Sequence, residues 1–312
     1  LSGERVNEFS NATTTQCFDP RRRTWALPLL AALGIPAHIF PPVCEPGTCL
    51  GELLPALAAE SGVGALPVIA PACHDTGSAV AAVPAEGRDF AWLSSGTWSI
   101  LGAEVSEPVL SPQALAYNFT NEGGVGGTWR LSKNIMGLWI GQECHREWGL
   151  SYDELTRLAG EAAPFLAVID PDDPRFFHPG GMAEKVCRSC AESGQSVPQT
   201  PGEITRVVLE SLALKYRFTL ERLEQLAGRR LDPLQIFGGG TKNRLRNQFS
   251  ADATGRLVVA GPVEATASGN ILLQALALGA VGSLAEGRQI VRRSFTIEEY
   301  HPRPDEGWAE AY

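Results

Sequence analysis

The sequence predicts an α/β protein. Short apolar runs of buried-strand type, at residues 65–70, 234–237 and 257–260, alternate with helical stretches of small or amphipathic residues. Three small-residue turns each follow an apolar strand, around Asp75 after 65–70, at Ser95-Gly96-Thr97 after 90–93 and at Gly238-Gly239-Gly240 after 234–237. In α/β proteins the chemistry sits where a strand ends and a helix begins. The 44% apolar and 20% charged composition is that of a packed globular chain rather than a disordered one.

The elements follow in order. Residues 1–60 are rich in turn formers, with one helix expected around residues 25–33 and ended by Gly34. The strand at 65–70 runs into Cys73-His74-Asp75-Thr76-Gly77 and a small-residue helix over 78–83, stopped by Pro84. Composition shifts at Glu86-Gly87-Arg88, the expected hinge between a domain over 1–86 and another over 87–312. Residues 90–93 and 99–103 read as strands joined by a small hydroxyl-rich turn. A third strand is expected near 127–131, leading into a helix that carries Asn134, Met136, Leu138, Trp139 and Gln142. The clearest helix starts at Pro201. Thr200 and Glu203 form a capping box, Ile204, Val207, Val208 and Leu212 form an apolar stripe, and Gly228 ends it. A helix over 264–279 follows the last strand.

Charge and cysteine usage narrow the function. Lys and Arg total 26 against 35 Asp and Glu, a formal charge of −9, with no basic run longer than Arg21-Arg22-Arg23. A phosphate backbone calls for clustered cations, so nucleic acid is not an expected partner. The most apolar stretch, 25–40, is interrupted by Pro28, Pro36 and His38 and is too short to span a bilayer. Seven cysteines are neither dense nor even in number, which points to the cytoplasm rather than to a secreted disulfide scaffold. Cys187-x-x-Cys190 has no second pair, so no metal is expected there. The chain opens on Leu1-Ser2-Gly3-Glu4 rather than Met, as expected either of a chain whose true start has been removed or of a piece of a longer protein.

No GxxxxGK[ST] loop, GxGxxG turn, GxSxG elbow or HExxH helix is present, which removes the usual signatures of P-loop ATPases, dehydrogenases, α/β-hydrolases and zincins. The remaining small-residue turns let backbone N–H groups approach an anion. His74-Asp75 has two readings. Asp75 is either a simple helix cap, or a base that takes the proton of a substrate hydroxyl as it attacks phosphorus.

Longer stretches carry a resemblance. They are His74-Asp75-Thr76-Gly77-Ser78-Ala79-Val80, Leu93-Ser94-Ser95-Gly96-Thr97-Trp98-Ser99, Asn118-Phe119-Thr120-Asn121-Glu122-Gly123-Gly124, and Lys133-Asn134-Ile135-Met136-Gly137-Leu138-Trp139. Gly238-Gly239-Gly240-Thr241-Lys242-Asn243 and the segments 251–255 and 261–266 complete the set. In this order, over residues 1 to about 302, the chain resembles the FGGY family of sugar kinases, and its rhamnulose kinases most of all.

The resemblance implies ribonuclease-H-like domains of the actin and hexokinase type. The sugar-binding domain over 1–86 would be partial and the nucleotide-binding domain over 87–312 complete. It implies Asp75 as catalytic base, with His74, Thr76 and Asn134 on the ketose. It implies Thr97, Gln142, Gly239, Gly240 and Asn243 on the nucleotide. ATP with Mg²⁺ would phosphorylate the C1 hydroxyl of L-rhamnulose. The family's leading strand and Asp-x-Gly loop do not precede Leu1, so this chain alone is expected to be inactive, needing a separate N-terminal segment or a homo-oligomer to cover it. Two rival readings remain: a non-catalytic nucleotide-binding or oligomerising fragment, and an FGGY kinase for another substrate such as L-fuculose, D-xylulose or glycerol.

Overall fold

The computed structural model describes residues 1–304 and 307–312. The chain forms two compact units, each assembled from separated segments. The first comprises Leu1–Arg88, Ala103–Ser132 and Glu264–Thr296; the second comprises Asp89–Gly102, Lys133–Val263 and Ile297–Tyr312. The chain thus first changes unit at 88/89, near the expected hinge, and later changes again at 102/103, 132/133, 263/264 and 296/297. Among the described residues no helix is long and apolar enough to cross a membrane.

The first unit is built from small paired strands and two closely packed helices. Asn7–Glu8 pairs in parallel with Val43–Cys44, and Thr48–Glu52 pairs antiparallel with Pro67–Ala70. Thr120–Gly123 lies antiparallel to Trp129–Met136, with Trp129 opposite Gly123 and Arg130 opposite Glu122. Gly123 is required there, because a Cβ would stand 2.6 Å from the Phe9 ring. Phe9 meets the Trp129 ring edge-on at 5.1 Å, and the Arg23 guanidinium covers Phe9 at 4.1 Å. The helix Asp75–Ala81 buries residues 76–81 against Ala265–Ala277. Gly269 permits the approach: a Cβ would meet the Ser78 carbonyl oxygen at 1.7 Å.

The second unit centres on a mixed sheet. Its strands run in the order Glu298–Tyr300, Val258–Ala260, Leu234–Phe237 and Ala91–Ser95, followed by the 98–102 part of Trp98–Val105 and the 133–136 part of Trp129–Met136. Leu234–Phe237 is parallel to both of its neighbours, and all four of its residues are buried, as expected of a strand covered on two faces. The helix Pro201–Ala227 has the expected capping box and ends at Gly228 in the left-handed conformation. Its inner face packs on Tyr152–Glu161 and Arg244–Thr254, where Leu209, Ala213, Phe249 and Trp308 share a core cluster.

The helix expected to carry Asn134 and Met136 is in fact a strand up to Met136, and the helix begins only at Trp139. Gly137 marks the break. A Cβ there would stand 2.6 Å from the Ser99 nitrogen, so the chain must pass against the hairpin before it can coil. The helix expected over 78–83 likewise begins earlier, at Asp75.

Candidate functional site

In the first unit the segment 71–75 is held by residues far upstream. Glu8 is buried, and its carboxylate accepts from the Cys73 amide at 2.8 Å and from the Ser10 amide at 2.8 Å. Ser10 Oγ in turn accepts from the His74 amide at 3.0 Å. From below, Ser78 Oγ donates to the Ala72 carbonyl at 2.8 Å. These bonds fix the backbone on which the next side chains stand.

Asp75 occupies the first helical position, and His74 precedes it in extended conformation. The Asp75 residue is exposed while the six that follow are buried, so its carboxylate stands at the surface end of an otherwise covered helix. Oδ1 accepts from the Thr76 amide at 2.6 Å. The carboxylate is thereby oriented and still reachable, which is what a proton acceptor requires.

Sequence reasoning missed the pair behind His74. Arg130 is fully buried, and its Nη2 lies 2.7 Å from His74 Nδ1 and 3.0 Å from Glu122 Oε2, while Nε donates to the Gly123 carbonyl at 2.9 Å. Burial is the main cause that lowers the His74 pKa, and the Arg130 charge lowers it further against the opposing pull of Glu122 and Asp75. Burial also pulls Arg130 below the usual arginine value, with Glu122 the chief opposing charge. A cation in the otherwise apolar run Trp129-Arg130-Leu131 was the available signal; its partner Glu122 sits directly across the strand pair.

The second unit contains all five residues expected on the nucleotide side. Thr97, exposed at the hairpin turn, donates from Oγ1 to Gln142 Oε1 at 3.0 Å. The Gly238-Gly239-Gly240 turn packs on Ser95 of the same hairpin, next to its turn. Gly238 adopts φ +87° with its missing Cβ 2.9 Å from the Ser95 carbonyl, and a Cβ on Gly240 would stand 2.0 Å from Ser95 Oγ. Asn243 caps the helix Arg244–Thr254, its Oδ1 accepting from the Arg246 amide at 2.9 Å. Arg246, another buried cation not foreseen, donates to Ser95 Oγ at 2.7 Å and to the Gly240 carbonyl at 2.9 Å. Asn134 stands exposed on its strand between the half-buried Lys133 and the buried Ile135.

At Gly239 no atom lies within 4 Å of where a Cβ would be, so a ligand can approach that backbone without meeting a side chain. No group of three or more His, Cys, Asp or Glu that could hold a metal occurs among the described residues. A cavity of about 270 Å³ in the second unit, lined in part by Ile169, Ser211, Lys215 and Tyr312, contains none of the expected site residues. Cys187 and Cys190 both lie on the helix Met182–Glu192 as free thiols.

Comparison with known proteins bears on this arrangement. Residues 1–82 match the N-terminal domain, and residues 91–278 the C-terminal domain, of the FGGY family of carbohydrate kinases. Among similar proteins, a rhamnulokinase of Bacteroides thetaiotaomicron is 45% identical over 313 residues, covering 100% of this chain and 64% of that protein. A rhamnulokinase of Enterococcus faecalis is 42% identical, covering 97% of this chain and 62% of that protein. The chain therefore spans somewhat under two thirds of the length of these relatives. Among solved structures, xylulose kinase from Rhodospirillum rubrum shares the fold with a TM-score of 0.77 at 21% identity, over 100% of this chain and 63% of that one. Glycerol kinase of Plasmodium falciparum, solved with ADP, aligns with a TM-score of 0.76 at 17% identity, over 99% of this chain and 61% of that one. The actin and hexokinase type of α/β fold expected from the sequence is the fold of these neighbours.

Proposed function

Given that the chain belongs to the FGGY family of carbohydrate kinases, we propose that the protein containing it transfers the γ-phosphoryl group of ATP to the C1 hydroxyl of L-rhamnulose. The reading of the substrate rests on the relatives named rhamnulokinase, at 40–45% identity along nearly the whole chain. The observation that carries the chemistry is Asp75, an exposed and oriented carboxylate at the head of a buried helix. In the proposed step the sugar oxygen forms a bond to the γ-phosphorus, the bond from that phosphorus to the β,γ-bridging oxygen breaks, and ADP leaves. The hydroxyl proton passes to Asp75.

His74, Thr76 and Asn134 are proposed to contact the ketose. Thr97, Gln142, Gly239, Gly240 and Asn243 are proposed for the nucleotide, Thr97 on its phosphate side. Magnesium accompanies ATP in such transfers and neutralises phosphate charge. The division into a sugar-binding part over 1–86 and a nucleotide-binding part over 87–312, and a place in the cytoplasm, belong to the same reading. So does inactivity of the chain in isolation, since it spans under two thirds of its relatives.

The test uses the full-length protein with ATP against L-rhamnulose, L-fuculose, D-xylulose and glycerol. L-Rhamnulose is expected to give the highest kcat/KM, and Asp75→Asn to lower kcat by roughly 10²–10⁴-fold. Activity retained in the Asn variant removes Asp75 as the base. Preference for another substrate removes rhamnulose.

A further inference from the structure

We propose that Arg130 is a positioning residue that holds His74 as the neutral tautomer protonated on Nε2, so that the ring offers the sugar a hydrogen-bond donor beside the acceptor Asp75. The sugar in this statement rests on the proposed function. The tautomer rests only on geometry.

A guanidinium carries five N–H donors and no acceptor. Arg130 Nη2 lies 2.7 Å from His74 Nδ1, so that nitrogen must supply the lone pair and the ring proton must sit on Nε2. The alternative partner is weaker. Glu122 Oε2 is 3.4 Å from Nδ1 but 3.0 Å from Arg130 Nη2, so the carboxylate is committed to the arginine. Protonating Nδ1 would set its N–H against the Nη2 donors and place a second cation beside a fully buried one.

The charges around the ring come from every element packed on it. Arg130 and Glu122 come from the two paired strands, Asp75 from the helix that His74 precedes, and Glu8 from the first strand, while Glu104 acts on Arg130 in turn. The carboxylates favour a charged ring; burial and Arg130 oppose them and prevail. Arg130 therefore separates two neighbouring roles. Asp75 can only accept while it is ionised, and His74 can only donate through Nε2. A polyol with adjacent oxygens meets one group of each kind.

The experiment is long-range ¹H–¹⁵N spectroscopy of the ¹⁵N-histidine-labelled full-length protein, with His74 assigned among the five histidines of this chain by its Gln variant. His74 is expected as the Nε2–H tautomer, titrating below the ordinary value of 6.5. Arg130→Met is expected to raise its midpoint, because only burial then opposes Glu122, Asp75 and Glu8. The same variant should raise the sugar KM about fivefold to tenfold, as for one lost hydrogen bond, and make it depend on pH near neutrality, with a smaller change in the KM for ATP. Glu122→Gln removes a charge that favours protonation, so it should keep the tautomer and lower the midpoint, which keeps the test decisive if Arg130→Met does not fold. An Nδ1–H tautomer in the wild type, an unmoved midpoint in folded Arg130→Met, or a raised one in Glu122→Gln overturns the proposal. Absence of sugar phosphorylation with the expected tautomer intact would instead sink the functional reading.

Discussion

Arg246 donates from Nη1 to Ser95 Oγ at 2.7 Å, joining residues 151 positions apart in the chain and tying the helix after the triple-glycine turn to the hairpin end. The same guanidinium binds the Gly240 carbonyl and, through Nη2, Asn247 Oδ1 at 2.7 Å. Both residues are fully buried, so no water can replace these bonds. Arg246→Met should therefore destabilise the fold by about 3 kcal/mol, the cost of leaving buried acceptors without a charged donor. Urea denaturation of the full-length protein checks it; an unchanged midpoint would mean that the neighbouring groups re-pair locally.

Two adjacent glycines should respond differently to the same change. Gly240→Ala forces a Cβ to within 2.0 Å of Ser95 Oγ, and overpacking of that kind costs roughly 1–3 kcal/mol. At Gly239 the added methyl meets nothing within 4 Å, so Gly239→Ala should alter stability by less than about 0.5 kcal/mol. If the nucleotide comes close to that backbone, ATP affinity measured by calorimetry falls in the stable Gly239 variant. Unchanged affinity would remove Gly239 from the proposed contacts.

Cys73 should be a slow nucleophile although its residue is exposed. Partial burial of the thiol, with Glu8 and then Cys44 nearby, pushes its pKa up to about 11 from 9.0. A rise of two units leaves roughly a hundredth of the thiolate at neutral pH. Iodoacetamide labelling followed by mass spectrometry should find Cys73 modified about a hundredfold more slowly than a free cysteine in the same buffer, and parity with the free thiol would contradict this.

The lowered His74 pKa makes a linked prediction about stability. In the folded protein this ring binds fewer protons than in the unfolded chain, so stability increases with pH across the interval between the two values. The contribution is present above the ordinary 6.5, declines as pH falls from there toward the folded value, and does not decline further below it. Glu210, raised by burial, works in the opposite direction, so the comparison must be differential. The stability gap between wild type and His74→Gln should narrow or reverse against the wild type as pH drops from about 7.5 to about 5.5; a constant gap would argue against the lowered pKa.

The sequence announced what is local. Thr200, Pro201, Glu203 and Gly228 mark both ends of the core helix within a few positions of it, and the hairpin around Gly96 follows from strand type and turn residues alike. Asn134 was misplaced onto a helix because a run of four apolar and polar residues fits either period. The deciding fact, Gly137 against Ser99, lies 38 positions away. Asp75 could be singled out by its setting between strand and helix, and Arg130 as a cation in an apolar run, whereas the partners of Arg130, Glu122 and Arg246 could not. Their meaning depends on cross-strand register and on partners 56 and 151 positions distant, which no local window contains.

The anchoring of segment 71–75 by Glu8 and Ser10 has a practical consequence. Neither residue touches a reacting atom in the proposed step, yet each holds an amide of the dipeptide just before Asp75. A nick by a protease between residues 10 and 70 would leave both ends noncovalently docked, but loss of residues 8–10 would loosen the hold on the very carboxylate proposed to take the proton. Retention of residues 8–10 after limited digestion is thus a proxy for an intact reaction centre, readable by mass spectrometry before any turnover is measured.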